Sequence, residues 1–135
     1  MDSDDRKLLE ATELFAALGE EAINRLTLNA VAQTVPKGTV LFLQGDRPEF
    51  VHLVLSGRVS LGAEDAHGHS TIVEIFREGQ LFILAAAILR KPYLMTARAL
   101  VDSRVMMIPT DRFNAMLDAE PRFSRALVDL SLIHI

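Results

Sequence analysis

Two histidines and a glutamate stand at a spacing that could bind a metal ion. They are His67, His69 and Glu74, in the pattern His-x-His-x4-Glu. Two imidazoles and a carboxylate form the facial ligand set of non-haem Fe(II) or Mn(II) centres. The same histidines flank Gly68, which favours a tight turn, and in an exposed hairpin both rings would be solvated. The pattern therefore indicates either a metal site or an exposed turn.

The remaining reactive side chains form no further catalytic pattern. The chain has no cysteine, which excludes disulfides, thiolate metal sites and cysteine-ligated iron–sulfur clusters. Ser56 lacks the nucleophile-elbow pattern, and Gly38–Gly45 lacks the Lys-Ser or Lys-Thr ending of a phosphate loop. His52 lies in an otherwise apolar segment, where we expect a hydrogen-bonded structural histidine. We expect a protein that is not an enzyme.

Length and composition predict one folded domain. The chain has 135 residues, half of them hydrophobic, and its 14 Lys and Arg against 18 Asp and Glu give a net charge of -4. The basic residues are scattered, which disfavours a nucleic-acid surface. Met1–Asp5 is acidic, unlike a signal peptide, and the apolar run Leu81–Leu89 is far shorter than the roughly 20 residues that span a bilayer. We therefore expect a cytoplasmic protein that does not contact a membrane.

Hydrophobic periodicity predicts helices at both ends of the chain and strands between them. Helical spacing predicts N-terminal helices over Arg6–Leu18, ending at Gly19, and over Glu20–Ala30. The period then changes to two, which predicts seven short strands, and seven such strands are typical of a sandwich or jelly-roll barrel. The predicted strands are Val31–Val35, Thr39–Gln44, Phe50–Leu55, Arg58–Ala63, Ser70–Phe76, Thr96–Val101 and Ser103–Pro109.

The helical period returns after the last predicted strand. Thr110 is the expected N-cap of one helix, and Pro121 suits the first turn of the next helix, over Arg122–Leu130. The chain thus divides into N-terminal helices at 1–30, a barrel at 31–109 and C-terminal helices at 110–129.

The segment Gly79–Ala99 has a distinctive layout. An apolar run, Leu81–Leu89, is followed by a turn at Arg90–Pro92 and an alternating stretch, Met95–Ala99. This order predicts a strand end, a short helix, a loop and a strand. We call residues 79–99 the cassette.

The chain resembles the sensor domain of CRP/FNR-type transcription regulators. The resemblance rests on the order helix, jelly-roll barrel, cassette, helix and long helix along nearly the whole chain. It also rests on four local motifs, which are Pro36–Asp46, Val54–Val59, Asp65–Gly68 and Asp111–Phe113. It implies a mainly β fold with flanking α-helices: a double-stranded β-helix (jelly-roll) barrel of the cyclic-nucleotide-binding-domain type, with N-terminal helices and a C-terminal dimerisation helix.

The resemblance also implies where an effector binds. In members that bind cyclic AMP or GMP, a cassette Glu and Arg hold the ribose and the phosphate; alignment on Thr96–Ala99 places Leu84 and Tyr93 at those positions. Cyclic-nucleotide binding is therefore not expected, because a buried phosphate requires a cation or aligned N–H donors. The expected pocket residues are Phe82, Ile83, Leu84, Ala85, Leu89, Tyr93, Leu94, Met95 and Thr96.

The content of that pocket is left open by the sequence. Two alternatives are open: the apolar side chains close the pocket into core, or the pocket takes an apolar effector. A haem is implied by the resemblance to haem-dependent nitric-oxide sensors of the same family. Candidate iron ligands are His52, His67, His69, Tyr93 and Met95.

The resemblance implies a homodimer that binds DNA in a longer protein. Its dimer helix would present Phe123, Leu127 and Leu130, and its DNA contacts would come from a C-terminal helix-turn-helix that this chain lacks. The residues Leu130–Ile135 are a separate case, because a transposon end used in preparing sequencing libraries, CTGTCTCTTATACACATC, translates to the same six residues. We therefore expect residues 130–135 to be non-native and the chain to be a fragment.

The His-x-His-x4-Glu pattern supports an alternative prediction, in which the protein is an enzyme. The triad of His67, His69 and Glu74 is similar to the first metal motif of cupins, which are also jelly-roll proteins and include metal-dependent dioxygenases. A cupin requires a further histidine on a later strand, and the later histidine here, His134, follows two predicted helices. The alternative prediction is a cupin-like metal-binding enzyme.

Overall fold

The computed structural model describes residues 3–82 and 84–133, with the side chains of residues 13, 84, 85, 87 and 130–133 left out of the description. Six helices lie outside the barrel strands or between them. They are α1 Ser3–Ala11, α2 Glu13–Ala16, α3 Glu20–Leu26, α4 Leu84–Leu89, α5 Thr110–Ala119 and α6 Pro121–Ile133.

The described strands are short and form two sheets. They are β1 Val31–Val35, β2 Val40–Phe42, β3 Phe50–Ser56, β4 Arg58–Glu64, β5 Ser70–Arg77, β6 Leu81–Phe82, β7 Thr96–Ala99 and β8 Ser103–Pro109. One sheet has the order β1-β8-β3-β6 and the other β2-β7-β4-β5, and the strand pairs are antiparallel. Chain-consecutive strands thus alternate between the sheets in several places, as in a jelly roll. The fold class predicted from the sequence is confirmed.

Gly57 makes the corner at which the chain leaves one sheet for the other. Its φ of +94° lies in the left-handed region, and a Cβ at this position would overlap the Ser103 side chain. The Ser103 hydroxyl also accepts the Arg58 backbone N–H at 3.2 Å. Only glycine satisfies both the backbone angle and this close approach.

The apolar residues form two packed clusters. The first joins α1, α2, α3, α5 and α6 to the β3 and β8 side chains, and includes Leu9, Phe15, Phe113 and Phe123. The second fills the barrel between the sheets, and includes Val54, Phe42, Phe82 and Tyr93. The helices therefore cover one outer face of the barrel, and the barrel has an interior of its own.

The N-terminal helices differ from the sequence prediction at three points. The predicted helix over Arg6–Leu18 is broken at Thr12, which has extended angles (φ -71°, ψ 130°) and donates its hydroxyl to the Leu8 carbonyl at 3.1 Å. Gly19 precedes α3 as its N-cap instead of ending the helix before it. The second helix ends at Leu26, and Asn29 follows with a φ of 67°. Local hydrogen bonding of Thr and the left-handed angle of Asn are the physical causes.

A buried ion pair ties α1 to the barrel. Asp5, 2% exposed, accepts both Nε and Nη2 of Arg104 at 2.7 Å each. The Arg104 hydrogen bonds hold the pKa of the Asp5 carboxyl below its usual value, against the effect of burial. A bidentate pair of this kind fixes orientation as well as distance.

Within the described residues, no helix has both the length and the apolar character needed to cross a membrane.

Candidate functional site

Five rings pack together inside the barrel. They belong to Phe42, His52, Phe76, Phe82 and Tyr93, which we call the ring cluster, and each comes from a different strand or loop. Ring centroids lie 3.7 Å apart for Phe42 and Tyr93, 5.3 Å for Phe42 and His52, and 5.2 Å for both His52 with Phe82 and Phe76 with Phe82. The ring cluster thus occupies the volume enclosed by the two sheets.

The ring, the hydroxyl and the backbone of Tyr93 all have partners in the structure. Its ring stacks on Phe42 at an interplanar angle of 15°, and its hydroxyl donates to the Phe50 carbonyl at 3.0 Å. Its backbone N–H donates to the Asp46 carbonyl and its carbonyl accepts the Gly45 N–H. Burial, with the nearby Asp46 and Glu49 charges, raises the pKa of Tyr93 to about 12. The phenol is therefore a neutral hydrogen-bond donor at neutral pH.

His52 is a buried residue whose imidazole has one nitrogen without a hydrogen-bond partner among the described residues. Its side chain lies in the ring cluster, the residue is 3% exposed, and Nδ1 has no hydrogen-bond partner among the described residues. Burial lowers the pKa of His52 to about 4, against the opposing effect of hydrogen bonding to the Phe50 backbone. The sequence predicts a hydrogen-bonded structural histidine here, and Nδ1 is the ring atom for which the described residues supply no partner. A buried polar atom without a partner costs about 1–3 kcal/mol, so it needs an explanation.

The cassette has the predicted layout of strand, short helix, loop and strand. Phe82 and Tyr93 are buried, and Met95 and Thr96 are half-buried. Leu89 and Leu94 are 62% and 80% exposed, so they face solvent instead of the barrel interior. Ile83 lies outside the described residues, as do the side chains of Leu84 and Ala85.

The cations of the cassette lie on the outer surface. Arg90, Lys91 and Arg98 are all exposed. The Arg90 guanidinium pairs with Asp111 of α5 at 3.0 Å, and Arg98 donates to the Gly38 carbonyl at 3.3 Å. The positive charge of this segment is thus turned away from the ring cluster.

The loop between β2 and β3, residues 43–49, connects the cassette to α5. At one end its Gln44 N–H donates to the Thr96 hydroxyl at 3.0 Å, beside the two backbone bonds to Tyr93. At the other end the Thr110 hydroxyl donates to the Pro48 carbonyl at 2.6 Å and the Thr110 N–H to the Glu49 carbonyl at 2.9 Å. Thr110 is the first residue of α5 and Pro109 is its N-cap, so the predicted N-cap role of Thr110 is wrong. The Thr110 hydroxyl instead bonds a loop carbonyl. We call residues 43–49 the connecting loop.

The histidines of the hairpin between β4 and β5 are engaged in a turn. The Asp65 carboxylate accepts the backbone N–H groups of His69 and His67 at 2.9 and 2.8 Å, and these bonds lower the pKa of Asp65. The His69 side chain is 79% exposed and Glu74 is exposed on β5. The described residues contain no group of three or more His, Cys, Asp and Glu that could hold a metal ion. The geometry gives no support to the cupin-like alternative.

The candidate iron ligands do not converge on one point. His67 and His69 lie at the exposed hairpin, the Tyr93 hydroxyl is already bonded, and Met95 packs against the barrel cluster. His52 alone offers a buried unpartnered nitrogen, and a porphyrin there would have to displace the rings that surround it. The residues as placed do not fit a haem.

The predicted dimer positions Phe123 and Leu127 lie inside this chain. Phe123 is fully buried and packs on Phe15 and Phe113, with centroid distances of 5.8 and 5.3 Å. Leu127 is 8% exposed, and the side chain of Leu130 lies outside the description. Any contact of α6 with a second chain would need another face of the helix, where Val128 is 52% exposed.

Two of the surface clefts among the described residues are lined by no member of the ring cluster. One of about 730 Å³ lies where the connecting loop, the cassette loop and the start of α5 meet. It is lined by Arg47, Pro48, Glu49, Arg90, Pro92, Pro109, Thr110 and Asp111. The other, of about 380 Å³, lies between α1 and the barrel.

Sequence reasoning found Tyr93, Phe82 and His52 but missed Phe42 and Phe76 as members of the ring cluster. The sequence predicts only that Phe42 and Phe76 lie in strands. Nothing in the local sequence indicates which other ring each of them contacts inside the barrel. The sequence also does not predict that the connecting loop joins the cassette to α5, since the residues that it contacts are distant in sequence.

Comparison with known proteins adds a family and a set of relatives. The family model for the cyclic nucleotide-binding domain matches residues 32–120. The chain is 24% identical over 123 residues to Patatin-like phospholipase domain-containing protein 6 from Pongo abelii, covering 91% of the chain and 9% of that protein. It is 20% identical over 122 residues to a CRP-like cAMP-activated global transcriptional regulator from Mycobacterium tuberculosis, covering 90% of the chain and 54% of the regulator.

A solved structure agrees in fold. The sensor domain of the transcriptional regulator DNR from Pseudomonas aeruginosa superposes with a TM-score of 0.83 at 22% identity, covering 96% of this chain and 87% of that domain. The chain spans about a tenth of the length of the first of these curated relatives and about half of the length of the second.

Proposed function

The chain belongs to the cyclic nucleotide-binding domain family, and from that premise we propose that it is the effector-sensing domain of a CRP/FNR-type transcription regulator. The observation that carries the proposal is the hydrogen-bonded route from Tyr93, through the connecting loop, to Thr110 at the start of α5. A molecule that moves Tyr93 would change bonds at both ends of that route. An effector that binds one arrangement more tightly than another shifts the population towards it.

The proposed effector is not a cyclic nucleotide. Tyr93 occupies the position at which the alignment expects the phosphate-binding arginine, and it stacks on Phe42. The cassette cations are exposed, and Arg90 and Arg98 have other partners. Moving an ionised phosphate into this ring-lined interior would leave its charge uncompensated, at a large cost in free energy.

The proposed role is non-catalytic and belongs to a longer, cytoplasmic protein. In that protein, α6 would continue and pair with a second copy through the exposed face that includes Arg125 and Val128. A separate domain would contact DNA, consistent with the net charge of -4 and the scattered basic residues of this chain. Effector binding would then reorient the DNA-binding domains of the dimer.

Two titrations test the effector half of the proposal. Calorimetry with cyclic AMP and cyclic GMP is expected to give no heat of binding up to millimolar nucleotide, and haem titration no sharp absorbance band. Micromolar binding of either nucleotide would contradict the proposal and would show that an exposed arginine reaches the phosphate. A sharp haem band would contradict the conclusion that the ring cluster does not fit a porphyrin.

A DNA-binding assay tests the regulator half. The complete product of the source gene is expected to shift a promoter fragment from its own locus and to elute as a dimer. The 135-residue chain is the matched control and should not shift the fragment. A complete product that neither dimerises nor binds any genomic fragment would overturn the assignment.

A further inference from the structure

We infer that the ring cluster is a binding site for a small, flat, uncharged aromatic molecule that carries one hydrogen-bonding group, which it directs to His52 Nδ1. The ligand would stack on Phe42 in the place now taken by the Tyr93 ring. This inference rests on the proposed function, because it names the class of effector that the sensing domain would take.

The first support is the unsatisfied nitrogen of His52. The residue is 3% exposed, and Nδ1 has no partner among the described residues. The rings of Phe42 and Phe82 lie beside it, with centroids 5.3 and 5.2 Å away. A bridging water needs two to four polar partners; the phenylalanine rings beside Nδ1 supply none, and the Phe50 carbonyl already accepts the Tyr93 hydroxyl. A ligand that brings an N–H or O–H group satisfies the nitrogen directly.

The second support is the absence of charge at the ring cluster itself. Its imidazole is neutral at neutral pH because burial lowers the pKa of His52, and its phenol is neutral because burial raises the pKa of Tyr93. The other three residues of the ring cluster are phenylalanines. An ionised ligand would lose its hydration without gaining a counter-charge, so the site selects against carboxylates and phosphates.

The third support is the position of Tyr93 in a loop. Of the five rings, Tyr93 alone stands in a loop, between α4 and β7, while the others belong to strands. Apolar side chains on both sides of it are exposed: Ile88 by 40%, Leu89 by 62% and Leu94 by 80%. Moving this segment would let some of that apolar surface be buried as the Tyr93 ring leaves, which offsets part of the cost of displacing it.

The geometry also couples occupancy to α5. If a ligand replaces the Tyr93 ring, the phenol loses its bond to the Phe50 carbonyl. The backbone bonds of Tyr93 to Gly45 and Asp46, at 2.8 and 3.0 Å, then loosen with it. The same loop holds Thr110 at its other end. The site that recognises the ligand is thus the start of the route on which the proposed function depends.

Three matched probes test the inference on the 135-residue chain. They are 2-naphthol, which is flat, neutral and has one hydroxyl; naphthalene, which lacks the hydroxyl; and 2-naphthoate, which is charged at pH 7.5. Fluorescence titration is expected to rank 2-naphthol about tenfold tighter than naphthalene, the ratio that one well-placed hydrogen bond to a buried group produces. Binding of 2-naphthoate should be the weakest of the three.

Two variants locate the site. His52→Phe preserves a ring but removes the nitrogen, so it should bring 2-naphthol down to the affinity of naphthalene. The control, His67→Gln, changes an exposed hairpin histidine and should keep the native ratio. Tyr93→Ala vacates the stacking position and should tighten both neutral probes severalfold. The ratio of 2-naphthol to naphthalene affinity on the native chain gives a readout even if a variant fails to fold.

Four results of these titrations would contradict the inference. Equal affinities for 2-naphthol and naphthalene, an undiminished preference in His52→Phe, or tight binding of 2-naphthoate would each overturn the inference. So would neutral-probe affinities that Tyr93→Ala leaves unchanged. If the naphthol series fails while cyclic AMP also does not bind, the inference falls and the proposed function stands. If cyclic AMP binds and displaces 2-naphthol, the effector half of the proposed function falls with it.

Discussion

The ring of Tyr93 lies flat on the ring of Phe42, with centroids 3.7 Å apart and planes inclined by 15°. One ring belongs to the loop of the cassette and the other to β2, in the sheet opposite to β3 and β6. The contact therefore fastens a segment that carries exposed apolar residues to the interior of the barrel. Removing or weakening it is the most direct way to test what the cassette does.

Two changes at Tyr93 separate its ring from its hydroxyl. Tyr93→Phe keeps the stack but leaves the Phe50 carbonyl without its donor, which should reduce the free energy of unfolding by about 1 kcal/mol. Tyr93→Ala also removes the buried ring and should cost about 3–5 kcal/mol. Urea denaturation measures both.

The control for these variants is Leu94→Ala. Leu94 is 80% exposed, so its truncation should change the free energy of unfolding by less than about 0.5 kcal/mol. Equal losses for the Tyr93 and Leu94 variants would contradict the placement of Tyr93 in the barrel core.

Acid should destabilise the fold through His52 before most carboxylates are protonated. Because burial lowers the pKa of His52 from 6.5 to about 4 in the folded state, the unfolded chain binds more protons than the native chain between these values. Stability therefore falls as the pH is lowered from 6.5 to about 4, with a total loss of about 3 kcal/mol. Urea midpoints measured across this range should show the slope.

The His52→Phe variant should lose most of that slope, and His67→Gln should retain it. The carboxyl of Asp5 contributes in a different window: its lowered pKa means that its stabilisation is present above 3.8 and is lost at more acidic pH. A native chain whose stability is flat between pH 6.5 and 4 would show that His52 is solvated.

The buried ion pair between Asp5 and Arg104 should hold α1 against the barrel. Asp5→Asn removes the charge that the Arg104 guanidinium contacts at 2.7 Å. Breaking a fully buried pair costs about 3–5 kcal/mol, and because the Arg104 side chain is 31% exposed we expect about 2 kcal/mol. Trypsin cleavage after Lys7, in α1, should also become faster.

Asp129→Asn serves as the comparison, since the Arg125–Asp129 pair is exposed at both side chains. It should change the free energy of unfolding by no more than about 0.5 kcal/mol. Similar losses for the two substitutions would mean that Asp5 is not buried in solution.

The bond from Thr110 to the Pro48 carbonyl should hold the connecting loop to α5. Thr110→Val has nearly the same shape but no donor, so the Pro48 carbonyl loses its 2.6 Å partner. We expect a loss of about 1–2 kcal/mol in the free energy of unfolding. Hydrogen exchange at the Thr110 amide, which bonds the Glu49 carbonyl, should become faster.

Thr110→Ser retains the hydroxyl and should restore slow exchange, with a smaller loss of stability. If valine and serine at this position behave alike, the hydroxyl does not link the connecting loop to α5.

The strand pattern could be predicted from the sequence because it is a local property. Alternation of apolar and polar residues placed Val31–Val35 and Ser103–Pro109 at their observed bounds, and the other five predicted strands within a few residues of theirs. The short strand β6, Leu81–Phe82, was not separated from the apolar run of the cassette, since it exists only through its pairing with β3.

The sequence by itself determined the fold class and the cassette layout, and it predicts Leu84 and Tyr93 at the positions of the ribose-binding Glu and the phosphate-binding Arg. Only the tertiary structure decided which surface covers the stripe of Phe123 and Leu127, because an apolar stripe does not name its partner; here the partners lie in the chain's own α2 and α5. The tertiary structure also decided that His52 Nδ1 lacks a partner and that Tyr93 meets Phe42. Such contacts join residues far apart in sequence, so they depend on close packing between the two sheets and not on any local pattern.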